Sequence, residues 1–374
     1  MRKIRTIPWL IATVGILSWI DVQAVEHSFQ GQASGWHLEA RDQGDRYYHL
    51  GLRYIPQLSL AQLMKADRFL DLEVSLNAFA YAGSSDQSDD HDLELYRLKV
   101  RFATPQTETR IGLQKLNFGP AFLLRPLRWF DNLDPRDPLG FTDGVYALRF
   151  RYTTLNHTSL WLWGLYGNKE AKGFNLLPTV EDQPEFGGRL QVFLLDGELA
   201  FTVHSRKVQN TIMGMENFTE NRFALDGRWD IEIGLWFEAV LQQQRSDGLT
   251  FPWTKMMMVG IDYTLGVGNG LHILGEHMAS VSSEDATECQ EDAQVSAFSL
   301  NYSLGVFDNL SAIGSYSWDD EEYYQYLAWQ RTWDNWILNL SLFHYPESDD
   351  GVEYKQREAP AAGYGGQILI VFNH

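Results

Sequence analysis

Hydrophobic and polar residues alternate without a break between Arg68 and Tyr81. One parity holds Leu70, Leu72, Val74, Leu76, Ala78 and Ala80, and the other holds Asp71, Glu73, Ser75 and Asn77. Successive side chains of a β-strand point to opposite faces, so this pattern predicts a strand with one apolar and one hydrated face. Similar segments, each roughly ten residues long as membrane-crossing strands are, recur from Trp36 to Phe372.

The recurrence predicts about eighteen strands, with sixteen as the alternative count. Their connections alternate in length: 103–107, 195–197 and 333–335 are short, whereas 83–91, 116–143 and 346–363 are long. Transmembrane antiparallel β-barrels have short periplasmic turns and long outer loops. The expected fold class is therefore all-β, a single transmembrane antiparallel β-barrel over residues 25–374.

One predicted connection departs from this alternation. Residues 56–67 fall where a short turn is expected, yet they are too long for one and contain a possible helical turn at 60–65. The alternative is that a strand is misplaced in this region. No functional role follows from the sequence here.

The N-terminus is typical of a secretory signal peptide. Arg2, Lys3 and Arg5 precede an apolar run at 7–20, and Val22-Gln23-Ala24 supplies a small-residue cleavage site. A membrane anchor is the alternative, but the run is short for a spanning helix and contains Pro8. We expect cleavage after residue 24, and no later run is apolar enough for a spanning helix, so a membrane location requires the barrel.

Composition agrees with this class. The 13 Trp and 17 Tyr suit aromatic girdles at two membrane interfaces. A net charge of −19 argues against a nucleic-acid partner. A single cysteine, Cys289, cannot form an internal disulfide, and the acidic run 86–92 lacks the glycine and bidentate glutamate of a calcium loop. We predict no metal site and no cofactor.

Parity also assigns charges to the lumen. Tyr96, Leu98, Val100 and Phe102 are expected to face lipid, as are Tyr146, Leu148, Phe150 and Tyr152. A charge facing lipid near the midplane costs about 2–4 kcal/mol, so the basic residues of opposite parity should face water. With one residue of the intervening strand, they form a predicted basic wall: Arg97, Lys99, Arg101, Arg110, Arg149 and Arg151.

The longest connection, 116–143, is too apolar for a free external loop and carries four prolines. We expect it to fold into the barrel as a constriction, with a plug or a subunit interface as alternatives. Four of its acids, Asp131, Asp134, Asp137 and Asp143, could face the basic wall, with Arg125, Arg128 and Arg136 among them. Opposed charges across a narrow aqueous gap would order dipolar solutes. Alternatively, the charges pair with one another and only keep the lumen hydrated.

Later strands carry the opposite sign at inward positions. The acids are Glu198, Asp226, Glu232, Glu238, Asp262 and Glu276, and they are offset by Arg189, Arg206, Arg222 and Arg228. The predicted lumen is therefore bipolar.

No catalytic motif accompanies the histidines. His272 and Glu276 share inward parity, but no serine or cysteine stands at a diagnostic spacing from a histidine. Phosphate-loop, dinucleotide and zinc spacings are absent as well. We predict that the protein is not an enzyme.

The last strand, 364–372, alternates Ile368, Ile370 and Phe372 on one face. It resembles the C-terminal insertion signal that the barrel-assembly machinery recognises, although Asn373 and His374 follow the Phe. The whole mature chain resembles bacterial outer-membrane porin-like barrels, through its alternation, loop placement and terminal strand. This resemblance implies an outer-membrane channel for passive diffusion of small polar or charged solutes, with outer-membrane lipid and lipopolysaccharide around it. It leaves anion preference and a homo-oligomer as open alternatives.

The sequence is also compatible with two other functions. The barrel also resembles alginate-export barrels, which would imply passage of an anionic polysaccharide. A surface barrel closed by its long loop is the third hypothesis, with glycan bound by aromatic residues: Trp318, Tyr323, Tyr324, Tyr326, Trp329 and Trp333.

Overall fold

The computed structural model describes residues 25–42, 44–84, 90–175, 177–210, 216–245, 250–287, 293–346 and 363–374. The predicted signal peptide, 1–24, lies outside these ranges. Across the described ranges, no helix is long and apolar enough to cross a membrane.

Eighteen strands lie in the described ranges. They are β1 Glu26–Asp42, β2 Asp45–Met64, β3 Arg68–Gly83, β4 Asp90–Ala103, β5 Thr107–Gln114, β6 Val145–Thr153, β7 Ser159–Leu165, β8 Glu185–Leu194, β9 Gly197–Val208, β10 Phe218–Asp230, β11 Gly234–Arg245, β12 Trp253–Leu265, β13 Leu271–Ser283, β14 Ala293–Ser303, β15 Asp308–Ser317, β16 Glu322–Trp333, β17 Trp336–Tyr345 and β18 Gly363–Asn373.

Each strand pairs antiparallel with its neighbours in sequence, and β18 pairs with β1 to close the sheet. The prediction of an antiparallel barrel of about eighteen strands is confirmed. Short turns and long connections alternate around it, except that β1 and β2 are joined at the long-loop end by residues 43–44 alone. Each of the described strands therefore pairs with a neighbour on both sides, and the sheet has no terminal edge strand.

The expected irregularity at 56–67 is wrong. β2 continues to Met64 because β1 begins as early as Glu26, and Glu26 to Gln30 pair with Ala61 to Gln57. On its other side the same stretch pairs with β3, ending at Met64 opposite Arg68. The turn is only 65–67, where Ala66 and Asp67 have positive φ angles of 62° and 53°. The stretch 60–64 is therefore strand, with no strand misplaced.

The facing of the strands follows the predicted parity. In β6, Ala147 and Arg149 are buried on the inner face, whereas Tyr146 and Leu148 are exposed on the outer face. In β3, Ser75 and Asn77 lie buried on the inner face. The alternation between Arg68 and Tyr81 thus separates a lumen face of β3 from a lipid face.

Tyr96 is an exception to the predicted facing. The register between β3 and β4 shifts at Ser75 and Leu76, so that Arg97 lies opposite Ser75 and Leu95 lies opposite Leu76. Tyr96 is the extra residue of this β-bulge, which turns its ring inward. It stacks on Phe141 of the β5–β6 connection at a centroid distance of 5.1 Å. The expectation that Tyr96 faces lipid is wrong for that reason.

A second exception concerns Glu232. It lies in the turn 231–233 between β10 and β11 rather than at an inward strand position. The parity argument does not apply to a residue outside the strands.

The residues after Phe372 extend the closing strand pair. The backbone N–H of His374 donates to the carbonyl oxygen of Gly31 at 2.9 Å, and the N–H of Gly31 donates to the carbonyl of His374 at 3.0 Å. The His374 ring stacks on Tyr54 at 5.9 Å. Asn373 and His374 therefore belong to the barrel wall.

Candidate functional site

Residues 115–144, here called the lumen loop, leave the wall at the end of β5 and cross to the far side of the barrel. The carboxylate of Glu238 on β11 accepts hydrogen bonds from the backbone N–H of Ala121 at 3.0 Å and of Leu127 at 2.9 Å. A Cβ on Gly119, whose φ is 96°, would lie 2.3 Å from Oε1 of Glu238. Close approach to this carboxylate therefore requires glycine.

Glu276 on β13 provides a second anchor. Its Oε1 accepts from the N–H of Phe122 at 2.8 Å, and its Oε2 accepts from Leu123 at 2.9 Å and Leu124 at 2.6 Å. The indole Nε1 of Trp236 also donates to Oε1 at 2.9 Å. Glu238 and Glu276 are both buried, and backbone N–H groups are the direct partners of both carboxylates. A loop without regular structure needs such partners, since its buried N–H groups would otherwise be unsatisfied.

The apolar residues of the lumen loop pack on the inner wall. Leu116, Leu127 and Trp129 form a buried cluster with wall residues that include Trp163 and Val240. A second cluster joins Ala121 of the loop to Trp236, Met258 and Leu274 of β11–β13. The first half of the loop therefore fills the lumen beside β6–β13, and its high apolar content is explained by burial inside the barrel.

The second half of the loop returns past other strands. Tyr326 of β16 donates its hydroxyl to the carbonyl oxygen of Arg136 at 3.0 Å. The guanidinium of Arg53 on β2 lies 4.0 Å from the ring centroid of Phe141. Arg97 of β4 donates to the carbonyl of Thr142 at 2.7 Å. The loop is thus held at several points around the circumference.

The connection between β7 and β8, residues 166–184, supports the lumen loop from a second side. The N–H of Gly173 donates to Oδ1 of Asn132 at 2.7 Å, and the side chain of Asn175 donates to the carbonyl of Trp129 at 3.4 Å. Arg128 of the lumen loop places its guanidinium 4.7 Å from the ring of Phe174. Two long connections therefore occupy the lumen together.

The expectation that acids of the loop oppose the basic wall must be corrected. Asp131 is fully buried and forms a bidentate pair with Arg125 of the same loop, at 2.7 and 3.1 Å. Asp134 pairs with Arg136 at 2.6 Å. Asp137 accepts from the N–H groups of two loop residues, at 2.9 and 2.7 Å. Proline-rich turns bring these partners within a few residues, so the carboxylates are used to fold the loop.

The pKa values of Asp134 and Asp137 are shifted in opposite directions. Burial raises the pKa of Asp137 above its ordinary value, and the N–H groups of Leu139 and Phe141 only partly oppose the shift. Burial acts the same way on Asp134, but the hydrogen bonds and charge of Arg136 outweigh it and lower the pKa of Asp134. Arg136 therefore stabilises the charged form of Asp134, whereas burial destabilises the charged form of Asp137.

The basic wall has acidic partners from its own strands. Lys99 pairs with Glu73 of β3 at 2.8 Å, and Arg101 pairs with Asp71. Glu108 of β5 contacts three of the arginines, namely Arg101, Arg110 and Arg149. Apart from Arg97, which bonds to the lumen loop, this region has five cations, Lys99, Arg101, Arg110, Arg149 and Arg151, and these three carboxylates are the ion-pair partners of the first four. This part of the inner wall, which we call the charged wall, remains net basic.

Arg97 and Arg151 differ from the other members of the basic wall. Arg97 is 7% exposed and donates hydrogen bonds to the backbone carbonyls of Tyr96 and Thr142. It therefore attaches the lumen loop to the wall and does not face open lumen. Arg151 lies 5.0 Å from the ring of Trp161 on β7. Its Nε finds no hydrogen-bond partner among the described residues. The guanidinium of Arg149 lies 4.9 Å from the same ring.

Charged residues of β8–β10 form buried ion pairs. Arg189 makes a bidentate contact with Asp226 at 2.5 and 2.7 Å, and Glu220 accepts from both Arg206 and Arg222. These side chains are buried beneath the loops. The bipolar lumen of the prediction is therefore unequal: these five charged side chains of β8–β10 are ion-paired and buried, whereas Lys99, Arg101 and Arg110 are only partly buried.

The remaining candidates do not assemble into a site. His272 lies 3.6 Å from Asp262, whereas Glu276 is occupied by loop N–H groups. The aromatic set is divided, because Tyr323 faces outward while the hydroxyl of Tyr326 points to the lumen loop. Where residues are described, no group of three or more His, Cys, Asp or Glu side chains could hold a metal ion.

Sequence reasoning missed the partners of the basic residues. Asp71 and Glu73 were recognised only as the hydrated parity of β3, and Glu108 and Trp161 were not singled out. Their pairing follows from the β3–β4 register, in which Asp71 lies opposite Arg101 and Glu73 lies opposite Lys99. β3 and β4 are joined by the long connection after Gly83, and the bulge at Tyr96 shifts their register by one residue, so counting residues from that connection would have placed both pairs wrongly.

No protein-family model matches the sequence, and no curated protein matches it. Solved structures do match its fold. The anion-selective porin from Comamonas acidovorans aligns with a TM-score of 0.53 and 13% identity, over 94% of this chain and 100% of that chain. OccD3 (OpdP) from Pseudomonas aeruginosa gives 0.62 and 8%, over 93% and 91%. OccAB4 from Acinetobacter baumannii gives 0.60 and 9%, over 93% and 98%. The fold is that of outer-membrane porins.

Proposed function

We propose that the protein is an outer-membrane channel for passive diffusion of small polar solutes, with a preference for anions. One observation carries the proposal: beside a loop anchored across a closed barrel, the charged wall presents five cations against three carboxylates. Rings or rows of fixed charge in a water-filled pore set ion preference. The name of one similar structure, an anion-selective porin, is consistent with this sign.

The proposed channel is non-catalytic and resides in the bacterial outer membrane, reached by means of a cleaved signal peptide at 1–24. Its partners would be the surrounding lipid and lipopolysaccharide, and the barrel-assembly machinery that recognises β18. The proposal does not depend on whether the barrel works alone or as a homo-oligomer. Residues 116–143, within the lumen loop, act as the constriction.

The constriction favours small solutes over a polymer. The lumen loop and the β7–β8 connection fill the side of the lumen along β6–β13 and are bonded to opposite strands. A polysaccharide exporter would need a passage that an extended chain can traverse continuously. Small ions and metabolites can instead pass beside the charged wall, where half-buried guanidinium groups exchange partners with them.

Reconstitution in a planar bilayer tests this function. Under a salt gradient, the wild-type reversal potential should indicate anion preference, and the double variant Arg110→Gln/Arg151→Gln should shift it toward cations. Arg245→Gln is the matched control, because Arg245 is exposed at the end of β11, outside the charged wall. The absence of conductance from correctly folded protein would contradict the channel, and an unchanged reversal potential in the double variant would contradict the role of the wall.

A further inference from the structure

The outer wall of the barrel carries a groove that the channel function does not use. It has a volume of about 790 Å³ and runs over β15–β18 toward β1 and β2. Its apolar lining includes Leu327, Leu340, Leu342 and Ile368, all exposed on the lipid face. Gly366 lies in its floor, between Leu342 of β17 and Glu39 of β1. Because glycine has no side chain, the lipid face is recessed at this point.

One end of the groove is charged, although it lies on the outer face. Glu39, Arg41 and Arg46 line it, and the side chain of Arg46 is 69% exposed. These residues flank the short link between β1 and β2, at the same end of the barrel as the lumen loop. Tyr48 and Tyr364, exposed aromatic residues of the kind found in interfacial girdles, lie beside them.

Arg41 and Arg46 lie directly opposite each other in the β1–β2 register. Like charges at directly opposed positions repel, so this pair costs stability unless an anion lies between the two groups. Glu39 pairs with Arg46. Arg41 has no ion-pair partner among the described residues, and one carboxylate cannot neutralise two guanidinium groups. The geometry calls for a further anion at this end of the groove.

We infer that the groove binds one molecule of lipid A, the phosphorylated acyl glycolipid of the outer leaflet, with its phosphate at Arg41 and Arg46. Guanidinium groups bind phosphate oxygens through paired, charge-assisted hydrogen bonds. An acyl chain lies along Leu327, Leu340 and Ile368. A ligand that is anionic at one end and hydrocarbon at the other matches the two ends of the groove.

The choice of lipid A over a phospholipid rests on the proposed function, because it requires the long-loop end to face the outside of the cell. The charged end then lies at the level of the outer leaflet. Two guanidinium groups and a wide apolar groove suit a headgroup with more than one phosphate and several acyl chains. Basic pockets on membrane proteins recognise lipid headgroups in this way.

Native mass spectrometry of the detergent-solubilised barrel, titrated with hexa-acyl bisphosphorylated lipid A, tests the inference. The wild type should retain one lipid A, and Arg41→Gln/Arg46→Gln should lose at least about tenfold in affinity, since two charged contacts are removed. Arg245→Gln is the control, because Arg245 is an exposed arginine on β11, at the same end of the barrel but on its far side. This variant should bind lipid A as the wild type does. Ile368→Trp, which fills the groove without touching the arginines, should also weaken binding.

Three results would overturn the inference. The first is equal binding by wild type and the double variant. The second is equal affinity for phosphatidylglycerol, which would make the occupant a general anionic lipid. The third is an oligomer that depends on the same residues, which would make the occupant a second copy of the chain. Conductance in a phospholipid bilayer without lipid A is measured separately, so failure of this site is distinguishable from failure of the channel proposal.

Discussion

Arg97 donates a hydrogen bond to the carbonyl oxygen of Thr142 at 2.7 Å, and this contact joins the bulge of β4 to the returning half of the lumen loop. The guanidinium also lies 3.8 Å from the ring centroid of Tyr96, which in turn stacks on Phe141. The bulge places Tyr96 and Arg97 together on the inner side of the wall. It converts a strand irregularity into an attachment point for the loop.

Replacement of Arg97 by Met should loosen the returning half of the loop while the barrel stays folded. Met keeps most of the side-chain length but removes a charged hydrogen bond that contributes about 1.5–3 kcal/mol. We expect more frequent spontaneous closures in single-channel recordings and faster proteolysis near residue 142. Lys99→Met is the control, because Lys99 bonds to Glu73 of β3 and not to the loop. Closure rates equal to those of the control would contradict the anchoring role.

Glu276, which accepts hydrogen bonds from the lumen loop, should affect hydrogen exchange in the loop, whereas lumen acids without such bonds should not. Glu276→Gln leaves one acceptor oxygen where two serve three loop N–H groups, and its amide nitrogen would face an N–H donor. We therefore expect faster hydrogen exchange at residues 122–124. Glu198→Gln, a control on β9 whose carboxylate bonds to Gln191, should leave exchange in the loop unchanged. Unchanged exchange in Glu276→Gln would refute the anchor.

The barrel was predictable because its cause is periodic. Lipid on one side and water on the other impose alternation on every strand, as in Leu70, Leu72 and Val74 against Asp71 and Glu73. The same period gave inward positions for Lys99 and Arg101 correctly. It failed at Tyr96, because a bulge inserts one residue and reverses the parity locally.

The interior of the loop was not predictable in the same way. Its apolar content indicated burial, but no period relates Asp131 to Arg125 or places Glu238 beside Ala121, which is 117 residues away in the chain. Such contacts depend on tertiary position, since irregular segments bond wherever donors and acceptors meet. The expected opposition of loop acids and basic wall failed because nearer partners within the loop competed for the same carboxylates.

Two loop aspartates should respond differently to neutralisation. Asp131→Asn breaks the buried pair with Arg125, and loss of one partner of a buried pair costs about 3–5 kcal/mol. The loop should therefore lose hydrogen-exchange protection. Asp137→Asn should cost less, because it gives up one of two N–H acceptors and no ion pair, and burial already raises the pKa of Asp137 and disfavours its charge. The test fails if the two variants lose equal protection.

Asp137 should also make loop stability depend on pH. Its native pKa is raised, so the folded loop retains the proton to a higher pH than the unfolded chain, whose carboxyl titrates near 3.8. The stability that it contributes is fully present below that value and is lost as pH rises through the native pKa. Loop protection measured across this range should fall in the wild type and fall less in Asp137→Asn. Identical pH profiles would exclude Asp137 as the source.

The acids of the charged wall give a prediction whose sign is opposite to that of the arginine variants. Glu73→Gln and Asp71→Asn remove the carboxylates that offset Lys99 and Arg101. These cationic side chains are only partly buried, at 18% and 31% exposure, so each substitution leaves a hydrated cation facing the lumen. Anion preference, measured as reversal potential under a salt gradient, should therefore increase in both variants, and it should increase more at low ionic strength, where screening is weaker.

Asp308→Asn serves as the control, because Asp308 pairs with Arg331 at the short-turn end, away from the charged wall. A wall that only keeps the lumen hydrated would leave the reversal potential unchanged. An increase from acid removal and a decrease from arginine removal would together establish that the net charge of β3–β6 sets selectivity.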